Sequence, residues 1–420
     1  MKCVLQLAMT VGIAAAGLTL DVGKAEAQTY RFCNLWDFTW QDDWAAQDYL
    51  THVPSTVGSQ TAHYSWYNIV KDGTLIDYGW LDSEGCVETT AGPGSYLLRL
   101  YPAVYDGAKS FFIYPNDQEQ WQTFEVTRQM NATQGHITQY NRFGSSNGLA
   151  NMAAVAAHGV TRPELGFQSG EHYVAYTYQN CPGGAAACYH PGTEAMYLGE
   201  HIRADNFATQ RRIWQKSIVG HELGHMISSR LAGGPSGGNY TSENCIGEND
   251  DGCTLPQECQ CYPHVKSSNG AHCLQSREFL SDAAQEGFGH FYATALYNAP
   301  NQPGAFAYYK EFWTYGGTIF PPFPYEVGLT PVGWLEAFCL ENDGGSDRGT
   351  EVDWQWFFYN LNRVFNSSNY SMEDFAAVYA NSPGAGWSSW SELADSAAAT
   401  FPGIKGASWQ TAGDLYGVNH

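Results

Sequence analysis

Within SIVGHELGHMISS, Ser217 to Ser229, stand His221, Glu222 and His225. In a helix, residues four apart lie one turn above the other on the same face, so both imidazoles can reach a single metal ion. Glu222 is turned by about 100° from that face and is placed instead to hold and deprotonate a water. This is the H-E-x-x-H pattern, in which two histidines bind Zn²⁺ and the glutamate is a general base. Zinc lowers the pKa of a bound water to about 7 and polarises a carbonyl, so the chemistry on offer is hydrolysis. The blander reading is a pair of histidines satisfied inside a core. Gly220 and Gly224 count against it, because each costs about 1 kcal/mol in a helix unless a close neighbour needs the space.

Catalytic zinc usually takes three protein ligands and a water. A third ligand must therefore come from a second element. The stretch SREFLSDAAQEGFGHFYATALYN, 276–298, reads as a helix in which Asp282, Glu286 and His290 share a face. Glu286, flanked by Phe279, Ala283, Phe291 and Leu296, is the expected ligand, since a carboxylate among apolar residues needs a cation as partner. Asp282 and His290 compete for that role, and whichever residue loses suits the orientation of a ligating ring. With tetrahedral ligation the three donor atoms should lie about 3 to 4 Å apart.

The elements around these residues are legible in outline. The first helix should run from an Asp205 cap through Phe207, Trp214, Ile218, Val219 and Met226 and stop near Gly233-Gly234. EAMYLGEHI, 194–202, reads as a strand before it. GTEVDWQWFFYNLNRVF, 349–365, is a third helix with Trp354, Phe357, Phe358, Leu361 and Phe365 at helical spacing. Residues 28–115 look like a small β-sandwich-like module, with turns at KDGT, DSEG and AGPG. Residues 116–420 are α+β in character, with a Cys-rich insert at 234–273 and a helical C-terminal part. Thr350 with Asp353 and Ser371 with Asp374 have capping-box spacing.

The helix at 221–225 resembles that of the zincin metallopeptidases. Ser228 and Leu231 stand where the long metzincin motif would need glycine and histidine, so the resemblance is to the gluzincin-like branch, which takes a Glu from a later helix. The resemblance implies a zincin-like catalytic domain, with a twisted sheet above the metal helix and an edge strand that aligns an extended peptide by backbone pairing. EAMYLGEHI is the candidate for that strand. It also implies a metal set of His221, His225 and Glu286 and a peptide or protein substrate. GWLDSEGCVETTAGPGSYLLRLYPAV, within the N-terminal module, resembles transthyretin-like or immunoglobulin-like β-modules.

Lys2, the apolar run Val4 to Leu20 and the small-x-small site Ala25-Glu26-Ala27 predict a signal peptide over 1–27 and a secreted protein, extracellular or periplasmic. The formal net charge of −22 opposes nucleic acid and anionic membrane surfaces as partners. Nothing in the sequence bears on oligomeric state. Eleven cysteines become an even set when Cys3 is cleaved away, which in an exported chain reads as disulfides. Cys33 with Cys86 and Cys181 with Cys188 are the local pairs expected. Cys245, Cys253, Cys259, Cys261 and Cys273 form a cluster that Cys339 can join. Cys259, Cys261 and His264 make a poorly spaced zinc site, and disulfides suit them better. Asn131, Asn239, Asn366 and Asn369 are glycosylation sequons. The rival readings are a secreted carbohydrate-binding or glycoside-hydrolase-like protein, from the many Trp, Tyr and Phe, and a zincin-fold binding protein without turnover.

Overall fold

The structure is a computed structural model that describes residues 28–38, 58–131, 136–144, 148–182, 187–199, 216–233, 277–297, 314–315, 318–319, 348–363, 369–382, 390–416 and 418. The expected signal peptide, Asp205, Phe207, Trp214, the insert at 234–273, Cys339 and Phe365 lie outside the described residues. Within them the protein is α+β.

Two sheets form the β-rich part. The first joins β1 (Thr29–Phe38), β2 (Gly58–Thr61), β5 (Cys86–Thr89) and β9 (His136–Phe143). The second has eight strands. Along it run β11 (Ala187–His190), β12 (Ala195–Leu198), β10 (His172–Tyr176), β7 (Ser110–Tyr114), β6 (Gly94–Tyr105), β3 (Ser65–Lys71) and β4 (Thr74–Trp80), with β8 (Phe124–Met130) beside β6. The period of two in β6 explains its place: Tyr96, Leu98 and Leu100 are buried, whereas Leu97, Arg99 and Tyr101 face outwards. Asp72 (φ 49°) and Gly73 (φ 83°) make the tight left-handed turn of the β3–β4 hairpin. The sheets meet face to face, with Tyr30 and Phe32 of β1 against Tyr96 of β6 at 5.6 and 5.4 Å between ring centroids. Helix α1 (Gly148–Val160), rich in alanine and buried on nearly all sides, packs on β1, β2, β6 and β7.

Strand pairing in both sheets runs across residue 115. Residues 28–115 do not close on themselves. β7 pairs in parallel with β10 from Ser110↔His172 to Tyr114↔Tyr176, and β1 pairs in parallel with β9 along its length. The edges of those strands carry backbone donors and acceptors that must be paired, and the partners come from beyond residue 115. The expected disulfides Cys33–Cys86 and Cys181–Cys188 are both formed. The first ties β1 to β5, and the second ties Cys181 to Cys188 of β11.

The expectation for EAMYLGEHI is corrected. Its Ala195–Leu198 core is β12, but β12 is an interior strand, parallel to β10 and antiparallel to β11. A turn at Pro191–Glu194, with Thr193 N donating to His190 O, folds β11 back along it. Among the described residues the last strand on that side is therefore β11.

Three helices make the second layer. α2 (Lys216–Ala232) packs under β11 and β12 and against α3 (Leu280–Tyr297), which in turn packs on α4 (Glu351–Arg363). α2 ends at Gly233, whose φ of +80° suits a helix C-terminus. β13 (Arg277–Phe279) runs directly into α3, a small hairpin of β14 (Thr314–Tyr315) and β15 (Thr318–Ile319) lies between, and β16 (Arg348–Thr350) runs directly into α4. Because β13 and β16 pair antiparallel, the starts of α3 and α4 are held side by side. α5 (Met372–Asn381), α6 (Trp390–Thr400) and α7 (Ile404–Tyr416) complete the chain; α5 begins with the expected Ser371/Asp374 capping box. Thr350 Oγ1 donates to Asp353 Oδ2 at the start of α4.

Many aromatics are core. Trp36, Trp354 and Trp409 are fully buried, and Phe288, Phe291, Phe357, Phe358 and Phe375 pack with the latter two across α3, α4 and α5. The expected core residues Ala283, Phe291, Leu296, Trp354, Phe357, Phe358 and Leu361 are all buried, and Phe279 is half-buried. Among the described residues no helix is long and apolar enough to cross a membrane. Asn131 and Asn369 are exposed; Asn239 and Asn366 lie outside the described residues.

Candidate metal centre

The α2–α3 contact is close because glycine lines it. A β-carbon on Gly224 would stand 2.7 Å from Tyr292 Cβ and 3.0 Å from Gly289 Cα. One on Gly289 would stand 2.9 to 3.2 Å from the ring of His221. At that crossing, one turn of α2 presents His221 and His225, both 8 % exposed, with their rings nearly perpendicular and 4.5 Å apart. Their Nε2 atoms are 2.9 Å apart.

Glu286 of α3 completes the group. Its Oε2 lies 2.8 Å from His221 Nε2 and 3.3 Å from His225 Nε2, and its side chain is 13 % exposed. Of the three candidates on that helix face, Glu286 is the one brought to both histidines. His290 instead sits behind His221, and Asp282 is buried. The 3.3 Å separation meets the expected spacing, whereas 2.8 and 2.9 Å fall just short of it, at the length of hydrogen bonds. Among the described residues these three form a buried group whose possible ligand atoms all lie within 4.8 Å of one another.

The donor set fits Zn²⁺. Two imidazole nitrogens and one carboxylate oxygen are the ligand types of a catalytic zinc site, and ligands about 2.0 to 2.2 Å from a tetrahedral metal stand about 3.3 to 3.6 Å apart. Small side-chain rotations of a few tenths of an ångström accommodate that. His221 is also kept in the ligating form: burial, followed by the neighbouring His290 and His225, lowers its pKa to about 3. A neutral imidazole has a lone pair to give, and an imidazolium does not. Glu222, 8 % exposed, follows His221 directly on α2 and is not part of the triad of ligand atoms.

Behind the triad, His290 links His221 to a residue that the sequence did not single out, Glu351. His290 Nδ1 is 3.1 Å from His221 Nδ1, and His290 Nε2 is 2.8 Å from Glu351 Oε2. Glu351 opens α4 and is fully buried. Along the chain it reads only as an acid in the first turn of a helix, where the helix dipole favours negative charge. Its approach depends on Gly287, at which a β-carbon would stand 2.8 Å from Glu351 O and 2.5 Å from Trp354 Cβ.

The other acidic group near a cysteine is no rival. Cys86 of the Asp82, Glu84 and Cys86 set is spent in its disulfide, and Arg31 pairs with both acids. Cys259, Cys261 and His264 lie outside the described residues. No family model matches the chain, and no curated protein matches it.

Proposed function

We propose that the chain is a secreted zinc-dependent metallopeptidase of the gluzincin-like zincin kind, acting on peptide or protein substrates. One observation carries this reading: His221 Nε2, His225 Nε2 and Glu286 Oε2 converge from two helices, with Glu222 next to them on α2. The mixed sheet above α2, ending at the antiparallel strand β11, agrees with it. So do the two disulfides, which persist in oxidising compartments.

When bound, Zn²⁺ supplies Lewis acidity toward a water and the scissile carbonyl. His221, His225 and Glu286 would hold it. Glu222 takes the proton from the attacking water and returns it to the leaving amine, a contribution of about 10² to 10⁴-fold. β11 is the last strand of its sheet among the described residues, and its backbone offers pairing to an extended peptide.

The deciding experiment is metal analysis of the purified chain together with casein or peptide-library cleavage, before and after chelation. Bound zinc, with cleavage that chelation removes and zinc restores, is the expected result. Zinc without cleavage would leave a binding protein, and cleavage indifferent to chelation would remove the metal from the mechanism.

A further inference from the structure

We propose that His290 and Glu351 are positioning residues that fix His221 in one tautomer and so aim its Nε2 lone pair into the ligand triad. This rests on the metal-centre reading above and deepens it.

The argument is one of proton bookkeeping along three buried groups. Glu351 lies at 0 % exposure and 2.8 Å from His290 Nε2. As a carboxylate it can only accept, so His290 Nε2 carries the proton and donates it. A neutral His290 then has a bare Nδ1, which can only accept. The atom facing it at 3.1 Å is His221 Nδ1, which must therefore be the N–H donor. His221 Nε2 is then the nitrogen turned to Glu286 at 2.8 Å and to the other imidazole at 2.9 Å; without a metal the Glu286 carboxylate competes for a proton there, and with Zn²⁺ held by Glu286 and His225 that nitrogen would be left as the ligand atom. The opposite assignment sends a proton from His290 Nδ1 to His221 and leaves Glu351 facing a bare nitrogen. His221 would then carry its own proton on Nε2, where a ligand cannot have one.

The fold holds this chain of contacts rigidly. The β13–β16 pairing sets α4 beside α3, and Gly287 lets the Glu351 backbone approach. Gly289 lets the His221 ring lie on α3, and Gln355 Nε2 donates to both His290 O and Thr294 Oγ1. Thus α4, which gives no ligand to the triad, helps decide how well the triad binds. Removing such partners of a metal-bound histidine typically costs about 10- to 100-fold in affinity.

The test uses the full chain. Zinc affinity is measured by chelator competition for the natural sequence, His290→Leu, His290→Asn and Glu351→Gln, with the thermal unfolding of each recorded in chelator. Selective ¹⁵N-histidine NMR of the zinc-loaded natural chain reads which His221 nitrogen carries the proton. The expected results are an Nδ1–H tautomer, a loss of about 10- to 100-fold in His290→Leu and a loss of about 10-fold in Glu351→Gln. The glutamine amide presents N–H as readily as C=O and no longer dictates the tautomer. His290→Asn, whose amide oxygen can accept where Nδ1 did, should recover much of the loss. Unchanged affinity in both His290→Leu and Glu351→Gln overturns the proposal, as does a zinc-loaded chain in which His221 carries its proton on Nε2. If His290→Leu does not fold, the near-isosteric Glu351→Gln and the NMR decide. Failure of the natural chain to bind zinc would instead sink the metal-centre reading itself.

Discussion

His221 Nε2 on α2 and Glu286 Oε2 on α3 stand 2.8 Å apart, although the Cys-rich insert separates them in the chain. The pair exists because α2 and α3 cross at Gly224 and Gly289: a side chain on Gly224 would meet the α3 backbone, and one on Gly289 would meet the His221 ring. Burying a carboxylate there is costly without a positive partner, and the two imidazole edges are its immediate neighbours. The behaviour of the site follows from this contact.

Glu286→Ala should abolish zinc binding near stoichiometric concentration, because two histidines alone leave the metal under-ligated. Inductively coupled plasma analysis of the dialysed variant checks this. Full metal occupancy would remove Glu286 from the site.

On the proposed mechanism Glu222→Gln should keep zinc and lose activity by about 10² to 10⁴-fold, since the proposed ligands are untouched and only the proposed base is changed. Metal content and cleavage rate, measured on the same preparation, separate the two effects. Retained turnover would mean that another group takes the proton.

Gly289→Ala places a methyl group 2.9 to 3.2 Å from the His221 ring. The ring or the helix must move, at a cost of about 1 to 3 kcal/mol in stability for an overpacked core. Zinc affinity should fall as well, because the displaced ring is a proposed ligand. Denaturant unfolding with and without chelator measures both, and an alanine variant matching the natural chain in each would show that the crossing has slack.

The pH dependence follows from His221. Its pKa is lowered from about 6.5 to about 3 by burial and by the adjacent histidines. Between those values the unfolded chain binds a proton that the folded chain does not, so stability rises with pH through this window. The contribution is fully present above about 6.5 and is lost as pH falls toward about 3. In chelator, the melting temperature should therefore drop between about pH 6.5 and 4, and drop less in His221→Gln. An identical slope in the two proteins would assign the acid sensitivity to other groups.

The two disulfides should contribute unequally. Cys33–Cys86 closes a separation of 53 residues and Cys181–Cys188 one of 7. Loop-closure entropy then gives about 4 kcal/mol for the first and about 2 kcal/mol for the second. Paired Cys→Ala variants compared by urea unfolding test the order, which a larger loss for the 181–188 pair would reverse.

From local pattern alone came the residues that share one helical face: His221 with His225 at one turn's spacing, and Asp282, Glu286 and His290 along the next helix. Turns at Asp72-Gly73, the Ser371/Asp374 cap and the buried stripe Trp354, Phe357, Phe358 and Leu361 were legible for the same reason, since backbone periodicity and capping chemistry are written in consecutive residues. The local disulfides Cys33–Cys86 and Cys181–Cys188 were legible from cysteine placement in a chain read as exported. Strand pairing is not written that way. A strand's sequence shows which face it buries but not which strand will sit beside it, so β7's parallel pairing with β10 and the interior place of β12 emerged only in the fold. The same limit hid Glu351. Its role depends on a two-strand ladder that sets α4 beside α3 and on a glycine that lets backbone approach side chain, and tertiary packing alone decides both.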